Sequence, residues 1–310
     1  MEKEFSKFCD NIKLTSNQIV DAKNKYTGVC TKLHNSYYDN KYDGSTKLLF
    51  GSHKTKTNTR PLSENQDVDV LFKISQEIFD KFDNYQNKGQ SALLQEVKDF
   101  LKEKYTTTDK ISGWGKVVLV KFSDGYHNVE VLPALEQDDG TFLIPNTENG
   151  GYWESFDPRK QIEEFQSSNN DTNGLTAELC RMLKTWVKNT SSLNYTSYTS
   201  FKLVGNVIEF LKTEYEVGAE YNEYHNVVKN FFDYLKFICD NGIESHVKTA
   251  YDRAIKAIEY MDNDKPKEAS EEWRKIFGNE FPKVKENPKR ENESRIIINP
   301  VAPYGVYEIK

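Results

Sequence analysis

The chain has no closely spaced cysteine pair, no long apolar run and no excess of positive charge, and each absence removes a class of protein. Its four cysteines, Cys9, Cys30, Cys180 and Cys239, are scattered over 310 residues with no C-x-x-C among them. A disulfide framework or a structural zinc site needs closer clustering, so each thiol is expected to be a small, half-buried hydrophobe on a helix. No stretch approaches the roughly 20 apolar residues that span a bilayer. The opening segment, MEKEFSKFCDNIKL, lacks the apolar core of a signal peptide, so a cytoplasmic protein with no membrane partner is expected. Basic residues number 42 against 48 acidic ones, a net charge of -6. Extended nucleic acid is generally gripped by a basic face, so such binding is not expected, while a local cationic pocket for small phosphorylated substrates stays open. No G-x-x-x-x-G-K-[ST] motif occurs, which removes P-loop enzymes.

What is present suffices for a packed core. Hydrophobic residues make up 37% of the chain and mean hydropathy is -0.76, a foldable interior under a polar surface. The length allows one large domain or two lobes. Residues 8–38 read as one long helix or two short ones, with Phe8, Ile12, Leu14, Ile19, Val29, Cys30 and Leu33 as candidate buried positions. Lys47–Phe50 is a short extended piece running into Gly51-Ser52. After the polar stretch HKTKTNTRPLSENQ comes DVDVLFKI, residues 67–74, which alternates and then turns apolar as a strand in a covered sheet does. Residues 90–105 form an amphipathic helix. Two strands follow, GKVVLVKF and YHNVEVLPAL, joined by the turn signal Ser123-Asp124-Gly125, with Pro133 expected to close the second. Asp138–Gly174, rich in Asn, Asp, Gly and Gln, reads as a loop-heavy crossover. Helices are then expected at 175–188, 201–215, 221–240, 243–261 and 268–277, and a strand-like piece at Arg295–Ile298. There is no internal repeat.

Three groups of residues suggest chemistry. On a strand, Asp67 and Asp69 point to one side while Val68 and Val70 point to the other. Two neighbouring carboxylates repel unless protonated or neutralised, and a divalent cation is the simplest neutraliser; oxygen ligands suit magnesium or manganese. Glu130, between Val129 and Val131, becomes a third ligand if its strand pairs beside that of Asp67. Otherwise all three are ordinary acids on a half-solvated sheet face. Gly51-Ser52, just ahead of the acidic pair, offers close backbone approach and phosphate-binding amides, although a lone Gly-Ser also serves as a plain turn. In GLTAELCRMLKTWVKN, Leu175, Leu179, Met182, Leu183 and Trp186 form an apolar side, with Arg181, Lys184 and Lys188 opposite at spacings of three and four. Lys184, with Arg181 nearby, could reach a triphosphate; the alternative is a solvated charged face.

These motifs together resemble the nucleotidyltransferase superfamily. GSHKTKTNTRPLSENQDVDV is similar to its signature of Gly-Ser, a threonine-rich turn and Asp-x-Asp; NVEVLPAL resembles the strand bearing its third metal acid, and CRMLKTW the helix with its triphosphate lysine. EEWRKIFGNEFP resembles the closing segment of the bacterial cGAS/DncV-like branch, so the resemblance runs from Gly51 to about Pro282. Glu130 stands where many relatives have aspartate, and Lys54, Thr55 and Lys56 stand near a position often held by arginine. The resemblance implies an α+β nucleotidyltransferase fold, a mixed β-sheet catalytic lobe (1–160) with an N-terminal helix packed against a C-terminal helical lobe (161–310). It implies two Mg²⁺ ions, with Mn²⁺ as an alternative, held by Asp67, Asp69 and Glu130. NTP substrates, ATP expected among them, would meet Gly51, Ser52, Lys184 and Arg181. The implied product is a cyclic di- or trinucleotide that activates a cyclic-nucleotide-responsive effector in anti-phage signalling. Transfer of a single nucleotide to a protein, RNA or small molecule, and a catalytically silent nucleotide or RNA sensor, are the competing readings.

Overall fold

A seven-stranded sheet organises the first half of the molecule, and helices make up most of the rest. The computed structural model describes residues 1–62, 67–108, 110–124, 127–190, 193, 198–215, 217–218 and 223–285. The strand expected at Arg295–Ile298, and Gly125 of the expected turn, lie outside them.

The chain opens with two helices, α1 (Glu2–Ile12) and α2 (Ser16–Tyr37). Thr15 starts the second: its hydroxyl accepts from the Gln18 amide at 3.3 Å, and the Gln18 side chain accepts from the Thr15 amide at 2.9 Å. This reciprocal cap satisfies two donors that a helix start leaves open. Phe8, Ile12, Val29, Cys30 and Leu33 are buried as expected. Leu14 is half-buried and Ile19 is 52% exposed, because the buried face of α2 begins only at Ala22.

The sheet is built from β1 (Lys47–Leu49), β2 (Val68–Ile74), β3 (Lys110–Trp114), β4 (Val117–Lys121), β5 (Val129–Glu136), β6 (Phe142–Asn146) and β7 (Tyr152–Phe156). The short α3 (Gly51–Thr55) leaves β1, while α4 (Gln76–Asp83) and α5 (Gly89–Lys104) follow β2. The strand order is β1-β2-β5-β4-β3, with β6 paired to β5 and β7 to β6. Only β2 and β5 run parallel, at the centre; the other pairs are antiparallel. That position explains their apolar sequences, since both faces are covered. Val68, Val70 and Phe72 pack with α2 and α5, whereas Leu71, Leu132, Ala134, Phe142 and Ile144 form a small core on the opposite face.

Two readings of this region are corrected. Pro133 does not end its strand: β5 runs on to Glu136. On the β4/β6 edge Pro133 falls between the stretch paired with β4, through Val131, and that paired with β6, from Leu135. The amide it lacks is not needed there. The segment 138–174 is not a loop-heavy crossover, for it holds β6, β7 and the helix α6 (Pro158–Asp171). Proline in the first turn and an Asp157 side chain capping the Lys160 amide at 2.9 Å start α6. It buries only Pro158, Ile162 and Phe165, too few to give a clear apolar period.

Five further helices follow, α7 (Leu175–Asn189), α8 (Ser200–Glu214), α9 (Tyr224–Ile238), α10 (Glu244–Asp262) and α11 (Pro266–Phe277), each within a few residues of its expected span. Their largest core gathers Trp186, Phe210, Phe231, Phe232 and Trp273. The first helix joins this core rather than that of the sheet, with the ring of Phe5 5.0 Å from those of Trp273 and Phe281. Cys9, Cys30 and Cys180 are buried in helices and Cys239 is half-buried at the end of α9.

Candidate active site

The parallel pairing of β2 and β5 sets Asp69 directly beside Glu130. Asp67, two residues earlier, shares their face. The intervening Val68, Val70, Val129 and Val131 are fully buried on the other side, so a one-residue slip of either strand would bury carboxylates in the core. Asn128, just before β5, fixes Asp67: its side-chain amide donates to Asp67 Oδ1 at 3.0 Å, and its Oδ1 accepts from the Phe122 amide at 3.3 Å.

The three acids share an electrostatic burden. Burial first, then the Asp67 carboxylate, pushes Asp69 up to about 6, with the Lys184 ammonium and the adjacent backbone opposing the rise. Burial, then Asp67 and Asp69, pushes Glu130 up to about 7. Asp67 is also raised by burial, opposed by the Asn128 hydrogen bond and the charge of Lys121. Lys121 follows Leu119, the register partner of Glu130, by two residues, which places it on the same sheet face.

Gly51 and Ser52 lie against these acids. Gly51 has φ +62°, and a Cβ there would come within 2.1 Å of Asp69 Oδ2. The Ser52 hydroxyl accepts from Asn58 Nδ2 at 2.8 Å, and the Ser52 carbonyl accepts from the Thr57 amide at 3.0 Å.

The basic residues of α7 are not on a solvated face. Arg181 and Lys184 are buried, and with Lys188 they hold one loop. Arg181 Nη1 donates to the Lys56 carbonyl at 2.8 Å, Lys184 Nζ to Thr57 Oγ1 at 3.0 Å, and Lys188 Nζ to Thr59 Oγ1 at 2.8 Å. This loop leads from the Gly51-Ser52 turn to the Asp67 strand. The polar run Thr57-Asn58-Thr59, nearly inaccessible to solvent, was missed from sequence. Its only signal is an unbroken series of hydroxyl and amide side chains between two motifs. Beside it the rings of His53 and His127 meet edge to face, 4.9 Å between centroids, with His127 Nδ1 3.1 Å from Asp21 Oδ2. Burial, with His127 and Lys184 as lesser causes, pulls His53 down to about 3, so it is neutral.

The carboxylates fit a hard divalent cation in donor type and placement, since three oxygen-bearing acids share one face and Asp67 raises Asp69 while both raise Glu130. Among the described residues the three acids do not, as they stand, close into a three-ligand metal cage.

The family model described as "Second Messenger Oligonucleotide or Dinucleotide Synthetase domain" matches residues 1–169. A probable cyclic nucleotide synthase of Bacillus cereus (strain VD146) is 25% identical over 179 residues, 49% of this chain and 51% of that protein. The match thus spans about half the length of this curated relative. Among solved structures, CdnC of E. coli MS115-1 in its complex with HORMA-deltaN superposes with a TM-score of 0.66 at 17% identity, over 91% of this chain and 98% of that one. Vibrio cholerae DncV cyclic AMP-GMP synthase, bound to the linear intermediate 5′ pppA(3′,5′)pG, gives 0.63 at 13% identity, over 88% and 93%. The chain shares their fold.

Proposed function

The chain belongs to the Second Messenger Oligonucleotide or Dinucleotide Synthetase family, and we propose that it condenses nucleoside triphosphates into a cyclic di- or trinucleotide. The observation that supports this most is the register of Asp69 beside Glu130, with Asp67 on the same face and Gly51-Ser52 packed against Asp69. In each transfer a ribose hydroxyl oxygen bonds to the α-phosphorus of a second nucleotide, its proton leaves to solvent, and the bond to pyrophosphate breaks. A last transfer within the linear product, the second for a dinucleotide and the third for a trinucleotide, closes the ring with loss of a final pyrophosphate.

Asp67, Asp69 and Glu130 would hold two Mg²⁺ ions, or Mn²⁺, which when bound acidify the attacking hydroxyl and neutralise the triphosphate. Gly51 lets the turn approach the acids, Ser52 contributes a hydroxyl to a donor phosphate, and Lys184 with Arg181 supplies positive charge beneath. The substrates lie between the sheet lobe (1–160) and the helical lobe (161–310). ATP is among the substrates. The product acts in the cytoplasm on a cyclic-nucleotide-responsive effector in anti-phage defence; no described helix is long and apolar enough to cross a membrane.

The test is incubation with four labelled NTPs and Mg²⁺, phosphatase treatment, and mass spectrometry. A phosphatase-resistant cyclic product is expected. Nucleotide attached to an added protein, RNA or small molecule, with no cyclic product, would instead establish single-nucleotide transfer.

A further inference from the structure

Ser52 is held at two of its polar atoms: its carbonyl accepts from the Thr57 amide at 3.0 Å, and its Oγ accepts from Asn58 Nδ2 at 2.8 Å. A serine hydroxyl has one proton to give and two lone pairs. With a lone pair taken by Asn58, the proton is directed away from the Asn58 amide, and among the described residues nothing accepts it. Asn58 is itself 6% exposed, between Thr57, which engages Lys184, and Thr59, which engages Lys188. It cannot turn to solvent without disturbing a loop anchored on both sides.

We propose that Asn58 is a positioning residue that orients the Ser52 hydroxyl as a donor toward the triphosphate. The inference rests on the reading of Ser52 as a phosphate contact. Without Asn58 the hydroxyl is free to rotate, and its proton can turn to the Ser52 turn's own carbonyls or to the Asp69 carboxylate, so that a lone pair faces the phosphate oxygens. The loss appears in nucleotide binding even though Asn58 itself touches no substrate.

A double-mutant cycle tests it, because residues acting through one contact are not additive. Full-length wild type, Ser52→Ala, Asn58→Leu and the double variant are compared by the Kd of a non-hydrolysable ATP analogue and by kcat/KM for ATP. Leucine keeps the branched shape of asparagine without its donor; melting temperature monitors the fold, and Asn58→Ala replaces it if the leucine variant is not folded. Ser52→Ala is expected to weaken analogue binding by about tenfold, the usual scale for a hydrogen bond to a charged group. Asn58→Leu should approach that loss, and adding it to Ser52→Ala should cost less than about twofold more. An Asn58 variant with wild-type affinity, or one whose loss multiplies with that of Ser52→Ala, overturns the inference. If Ser52→Ala itself binds normally, the phosphate role of Ser52 is what fails.

Discussion

Any side chain at Gly51 would strike the Asp69 carboxylate, its Cβ 2.1 Å from Oδ2. The glycine of the Gly51-Ser52 turn is therefore required by an acid that follows it on a separate strand. The turn and the acidic strand are one packed unit, further tied by the Phe50 amide, which donates to the Asp69 carbonyl at 3.2 Å.

Gly51→Ala is accordingly expected to displace Asp69, with added strain of about 1 kcal/mol from the left-handed backbone. Melting temperature should fall by a few degrees, while Mn²⁺ affinity, followed by electron paramagnetic resonance, should fall far more. Unchanged Mn²⁺ affinity would show that the turn and the acid are independent.

Asp69→Asn and Asp67→Asn should keep the fold and lower turnover by several orders of magnitude, because each removes a charged ligand of the proposed metal site. The metal-free Asp69→Asn protein should also melt higher than wild type, since a buried, repelled carboxylate has been removed. Activity of both variants within about tenfold of wild type would remove them from the metal site.

The acids were legible because strand alternation places Asp67 and Asp69 together and V-E-V does the same for Glu130. What aligned them, the parallel pairing of β2 with β5, is a contact between distant segments that no local pattern encodes. The same applies to Lys184. Its helix face could be read, but its partner Thr57 lies 127 positions earlier, so a buried clamp looked like a charged surface. The helix α6 was hidden for the opposite reason, having too little apolar surface to show a period.

The raised acids make metal-free stability depend on pH. Glu130 sits at about 7 in the folded protein, above its ordinary value of 4.5, so the native state holds this proton more tightly than the unfolded chain. Between those values stability falls as pH rises. In EDTA the melting temperature of wild type should decline from pH 5 to pH 8 relative to Glu130→Gln, and Mg²⁺ or Mn²⁺ should remove much of the decline while releasing protons. Parallel pH profiles for the two proteins would contradict this. Glu130→Gln should be nearly inactive, and Glu130→Asp partly active because charge survives while reach shortens.

The three cations of α7 should separate by function. Lys184 is buried, donates to Thr57 and is attracted by Asp69. Lys184→Ala should therefore raise the KM for ATP and lower kcat, since it removes charge from the proposed triphosphate site and an anchor of the loop. Lys184→Arg should recover only part of the loss, because a planar fork does not occupy the place of an ammonium. Sequence alone suggests that Lys188, one turn further on, matters much less. The structure gives it an anchoring role, with its ammonium 2.8 Å from Thr59 Oγ1 and 3.3 Å from the Pro61 carbonyl. Burial, with Lys184 as the next cause, pulls Lys188 down to about 8, while Glu280 opposes the change. Lys188→Ala should consequently lower the melting temperature by a few degrees and kcat modestly, with the KM for ATP near wild type. Steady-state kinetics over an ATP titration, run beside thermal melts, distinguish the two. If both alanine variants match wild type in KM, kcat and melting temperature, neither lysine anchors the loop. If Lys188→Ala raises KM as much as Lys184→Ala does, the triphosphate reaches one turn further along α7 than Lys184.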